Sequence, residues 1–125
     1  MKIISTKVHG LLDYMMGILL ISSPWIFRFD LNGAQLWVPV ILGIMTIIYS
    51  LMTDYELGLS DNISMRTHLV LDFISGAILA ASPWIFGFAD EVYLPHLLLG
   101  VAAIGAAAMT STRVGKHTAT KVRHT

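Results

Sequence analysis

His9 and Asp13 stand four residues apart, and His68 and Asp72 repeat that spacing. On a helix, residues four apart share one face. Imidazole nitrogens and carboxylate oxygens are ligands for divalent metals, and two of each would make a His₂Asp₂ set. The same groups exchange protons, and ionisable side chains inside a membrane mark relays and ion paths. The plainer reading is a tether. An aspartate in the first turns of a helix is favoured by the helix dipole. A carboxyl bonded to the histidine of its own helix, or to Tyr49, Thr53 or Thr110 of the next, ties helices together. The tether is the preferred reading, and proton or metal chemistry is its rival. The pattern admits a divalent metal at the four residues; two histidines at one depth could also ligate a haem, which nothing else in the sequence supports, and no cofactor is expected.

Little else points to catalysis. The chain has no cysteine, which excludes disulfides, thiolate nucleophiles and iron–sulfur clusters. It has no Gly-rich phosphate loop and no nucleophile elbow. Ser22, Ser23 and Ser82 fall at the helix ends opposite the His/Asp pairs, so a Ser-His-Asp triad is not expected. No enzyme activity is expected. His96, near the start of the last apolar segment, reads as an interfacial residue.

The elements that position these residues are apolar throughout. Hydrophobic residues make up 55% of the 125 and charged residues 13%, with a mean hydropathy of +0.71. A soluble domain carries about 25% charged residues, and a small fold cannot hide this much apolar surface. Lipid is the natural solvent. The formal net charge is zero, so nucleic acid is not an expected partner. The basic tail over 116–125, which carries Lys116, Lys121 and Arg123, reads as a cytoplasmic anchor.

Residues 7 to 29, KVHGLLDYMMGILLISSPWIFRF, align without gaps to residues 66 to 88, RTHLVLDFISGAILAASPWIFGF. LGIMTIIYSLMTDYELG, from Leu42, aligns to LGVAAIGAAAMTSTRVG, from Leu99. Recurrence in mid-chain rules out reading the first segment as a signal peptide. The tandem HxxxD…SPW pattern with its TDYELG link resembles the SPW-repeat family of small bacterial membrane proteins. The resemblance runs from about Lys7 to Gly115. It implies a membrane location and a two-plus-two helix architecture, and it carries no biochemical activity.

The expected fold is an all-α membrane protein forming one membrane domain over 1–125. Repeat unit one spans 7–58 and unit two 66–115, with helices at 8–26, 36–53, 66–85 and 93–110. Lys2, Lys7, Arg66, Arg113, Lys116, Lys121 and Arg123 fall on one side. Arg28, beside Asp30, Asp90 and Glu91, falls on the other. The positive-inside rule makes both termini cytoplasmic, in a multi-pass protein of the cell inner (plasma) membrane. Both units then enter in one direction, as parallel repeats with a pseudo-twofold axis along the membrane normal.

Ser23, Pro24 and Trp25, and likewise Ser82, Pro83 and Trp84, are expected to end the first and third helices at the outer interface. Proline should kink or stop the helix, with each serine capping a following turn. The aromatic residues Trp25, Phe27 and Phe29, and Trp84, Phe86 and Phe88, should form a belt. The fourth helix, with Gly100, Ala103 and Ala107 and also Ala102 and Ala106, offers a small-residue face for close packing. That face suits a second copy or another membrane protein and makes the second unit the tighter one. Taken together, the expectation is a non-enzymatic structural or accessory membrane component. A small proton- or metal-coupled transporter is the alternative.

Overall fold

The computed structural model describes residues 2–29 and 32–114. Among these there are four helices and no strand: α1 (Thr6–Ile26), α2 (Ala34–Leu51), α3 (Met65–Ile85) and α4 (Leu94–Ala108). Asp30, Gly115 and the basic tail lie outside the described residues.

Helices α1 and α3 begin one to two residues before their expected starts because serines cap them. Ser5 Oγ accepts from the Val8 N–H at 3.2 Å, and Ser64 Oγ from the Thr67 N–H at 3.1 Å. Each cap satisfies one amide that the first turn leaves without a helical partner. Helices α2 and α4 end two residues before their expected ends because the chain turns extended there. Ile4, ahead of α1, bridges to Thr110, beyond α4; Ile63, ahead of α3, bridges to Thr53, beyond α2.

The SPW segments behave differently from the expectation. Helix α1 runs through Pro24 to Ile26, and α3 through Pro83 to Ile85. Neither serine caps a new turn. A proline has no N–H for the carbonyl four residues back, which here belongs to Leu20 or Leu79. The Ser23 hydroxyl donates to Leu20 O and the Ser82 hydroxyl to Leu79 O, both at 2.7 Å. The serine supplies the donor that its neighbouring proline lacks, so the helix survives. The true stop comes three residues later, at Phe27 and Phe86. There Arg28 (φ 57°) and Gly87 (φ 76°) turn left-handed. The Phe29 and Phe88 amides then donate back to Pro24 O and Pro83 O at 3.0 and 2.8 Å, closing Schellman turns. Both serines are fully buried, where water cannot replace a lost hydroxyl. Ser23→Ala and Ser82→Ala should therefore each cost about 1–3 kcal/mol, the range for orphaning a buried polar group. Ser23→Thr, which keeps the hydroxyl, should cost less. Unfolding titrations in detergent check this, and equal losses for alanine and threonine would refute it.

Helix α1 packs chiefly on α2 and α3 on α4, while α2 and α3 share a smaller contact and α1 and α4 barely touch. Glycines permit the two main contacts. A Cβ on Gly43 would lie 2.7 Å from Gly17 O, and one on Gly100 would lie 2.5 Å from Gly76 O. Both pairs therefore approach closely, and α3 and α4 share the larger contact, as the small residues of α4 lead one to expect.

The outer surface is apolar around the bundle. Ile18, Trp37, Ile48, Val70, Ile74, Leu98 and Val101 are all exposed, which marks a surface built to be covered. Two helices, α2 and α3, are long and apolar enough to cross a membrane. Helix α1 matches α3 in length, while α4, with 15 residues, is apolar but only about 22 Å long.

Candidate functional site

The two His/Asp pairs meet at one end of the bundle, between α1 and α3. The residues of each pair are one helical turn apart, so the aspartates sit deeper than the histidines. His9 and His68 are fully buried, and Asp13 and Asp72 nearly so. The closest contacts cross between helices. His9 Nε2 lies 2.5 Å from Asp72 Oδ2, and His68 Nε2 lies 2.6 Å from Asp13 Oδ2. The contacts within each helix are longer, at 3.1 Å for His9–Asp13 and 3.2 Å for His68–Asp72. The four groups thus alternate nitrogen and oxygen around a closed ring.

Two threonines outside the ring fix the tautomers. Thr110 donates its hydroxyl to Ala106 O and Thr53 donates to Tyr49 O. Each threonine oxygen, its one proton committed, can only accept from the imidazole Nδ1 at 2.8 Å. Both histidines therefore carry a proton on Nδ1 and turn Nε2 toward the carboxylates. The two short Nε2–Oδ2 contacts then need one proton each. With those two protons the cluster is neutral, as two imidazolium–carboxylate pairs, and neutrality matters in a buried site, where an unpaired charge is costly.

A divalent cation between the four groups would also give zero net charge, and Nδ1–H donation to a second shell is the usual setting of a metal-bound histidine. Adjacent ligands stand roughly 3.3 Å apart around a tetrahedral ion with bonds of about 2.0–2.1 Å and roughly 2.9 Å apart around an octahedral one, and the nitrogen–oxygen edges here are 2.5–3.2 Å. The two crossed edges have hydrogen-bond lengths, which two shared protons satisfy as well.

Tyr49, Thr53 and Thr110 were expected as hydrogen-bond partners, and all three sit at the cluster. The Tyr49 hydroxyl makes a very short bond to Asp72 Oδ1. The sequence reading missed Tyr55. It lies in the α2–α3 link and is fully buried, with its ring 5.7 Å from that of His68. Burial pushes its phenol above the usual tyrosine range. Gly10 makes room for it, since a Cβ there would fall 2.3 Å from the ring. The same link is held by Thr6, which donates to Glu56 at 2.6 Å, and by Tyr14, which donates to Leu57 O at 2.9 Å. Its signal was the run TDYELG, which unit two replaces with TSTRVG.

The opposite end divides the SPW residues. Trp25, Trp84, Phe27 and Phe86 are exposed, as a belt requires, while Ser23, Pro24, Ser82 and Pro83 are buried. Phe29 and Phe88 are buried too, each 4.8 Å from the ring of His96. His96 is therefore a core residue, not an interfacial one. Its Nε2 bonds Gln35 O at 2.9 Å.

Four helices, two of them long and apolar enough to cross a membrane, around a buried ring of two histidines and two aspartates define a small helical protein with a polar knot at one end. The profile of the SPW repeat domain matches residues 7–110, and the chain belongs to that family. No curated protein and no solved structure matches it significantly.

Proposed function

We propose that this chain is a non-enzymatic structural or accessory component of the cell inner (plasma) membrane. On this reading it crosses the bilayer four times, with both termini and the α2–α3 link cytoplasmic. Its halves are parallel two-helix repeats about a pseudo-twofold axis along the membrane normal. Matched contacts support the repeat: Gly17–Gly43 answers to Gly76–Gly100, and the Ile4–Thr110 bridge to Ile63–Thr53. The charge asymmetry supports the orientation.

The observation that carries the functional reading is the crossed His/Asp ring. Its short bonds join unit one to unit two, and its outer atoms are bonded by threonines of the opposite unit. Transport would need Asp13 and Asp72 to face each other across a wet space. They instead share the same two imidazoles, and the space that both carboxylates line is ≈ 20 Å³, room for about one water. The ring acts as the clasp that closes two hairpins into one bundle.

The purified protein in detergent should melt at the same temperature with and without a metal chelator. A melting temperature lowered by chelator would overturn the two-proton clasp, because a ligand of the folded state alone stabilises it by mass action. Reporter fusions at the two termini should both read cytoplasmic, and an external signal at either would overturn the topology.

A further inference from the structure

The clasp is asymmetric around its two carboxylates. Tyr49 of α2 covers Asp72 and donates to its Oδ1. The repeat offset puts Ala106 at the matching position of α4, and Ala103 opposite Thr46. The bonds of Asp13 to the two histidines run through Oδ2, and α4 carries no tyrosine to cover its Oδ1 as Tyr49 covers that of Asp72. Its side chain is 11% exposed where that of Asp72 is 4%.

The missing tyrosine leaves a space. Because α1 and α4 barely touch, a lateral groove of ≈ 430 Å³ runs between them, within the size range of small-molecule sites. Met16, Leu19, Ala102, Ala103 and Ala106 line it, and Asp13 is its one charged residue. The space that both carboxylates line shares Asp13, Met16 and Ala103 with this groove.

We infer that the groove binds a lipid-soluble phenol, whose hydroxyl donates to Asp13 Oδ1 and whose apolar body lies along the alanines of α4. The chain itself supplies the template, since it fills the equivalent slot with the phenol of Tyr49. A neutral donor also keeps the clasp uncharged, whereas an amine would bring a net positive charge into an apolar site. The choice of a neutral ligand rests on the two-proton clasp. A chelator-sensitive melt would sink that clasp, while the comparison below still reads the slot.

The test uses the full chain in detergent, melted with 4-hexylphenol or with its methyl ether, which has the same apolar body and no donor. The phenol should raise the melting temperature, and the ether should need about tenfold or more concentration for the same effect, as a hydrogen bond to a charged group implies. Ala106→Tyr should melt higher than the parent and lose the response to phenol. Ala106→Phe should lose the response without gaining stability. Equal protection by phenol and ether would overturn the inference, leaving the groove to lipid chains. No protection by either, or an undiminished response in both variants, would overturn it as well.

Discussion

Asp72→Ala is expected to destabilise the protein by about 3–5 kcal/mol, the cost of removing one partner from a buried ion pair. The carboxylate accepts from His9 and His68 through Oδ2 and from Tyr49 through Oδ1. Its loss leaves a tyrosine hydroxyl and an imidazolium proton without an acceptor in a site that water barely enters. The crossed geometry makes a sharper claim. In double-mutant cycles, His9 with Asp72 and His68 with Asp13, the pairs at 2.5 and 2.6 Å, should couple by roughly 1–3 kcal/mol. The i,i+4 pairs, at 3.1 and 3.2 Å, should couple less. Unfolding titrations in detergent measure all four cycles. Stronger coupling within a helix than between helices would mean that the ring does not clasp the halves.

Gly100→Ala should cost on the order of 2 kcal/mol, although alanine is the better helix former by about 1 kcal/mol. The added methyl would lie 2.5 Å from both Ala80 N and Gly76 O. Those are backbone atoms and cannot swing aside, so α4 has to move off α3, with the usual penalty of overpacking. Gly43→Ala meets Gly17 O at 2.7 Å and should behave alike. Gly17→Ala meets Ile47 Cγ1 at 2.5 Å, a side-chain atom that a rotamer change can move, and Gly43 O only at 3.1 Å, and should be milder. Gly105→Ala has nothing within 4 Å and should stabilise by about 0.5–1 kcal/mol. The opposite signs at Gly100 and Gly105 separate helix contact from helix propensity. A stabilising Gly100→Ala would show that the close approach is absent.

The four helices were legible because apolar runs of that length have few alternatives, and their bounds moved by no more than two residues. The shifts have local causes: serine caps at Ser5 and Ser64, and extended residues at Thr53 and Thr110. The SPW segment was misread because proline propensity was weighed without its neighbour. A serine one residue earlier can supply the missing donor, and that compensation is a hydrogen bond, not a propensity. His96 was read as interfacial because it is polar near a helix end. Only the convergence of Phe29 and Phe88, from the ends of two different helices, buries it.

The sequence by itself determined the repeated motif, the apolar character of the helices and which four residues could meet in a ring, because periodicity and residue type are local properties of the chain. The tertiary structure decided how those residues pair. Spacing of four along a helix favours His9 with Asp13, yet the shorter contacts run to the other helix, because the histidine and aspartate side chains of α1 and α3 reach across the bundle to one another. It also decided which nitrogen of each histidine faces the carboxylates, through threonines 101 and 15 residues away in the chain. The unequal cover of the two aspartates belongs to both. The exchange of Tyr49 for Ala106 is written in the sequence, and its consequence, a slot beside Asp13, exists only where α4 stands off from α1.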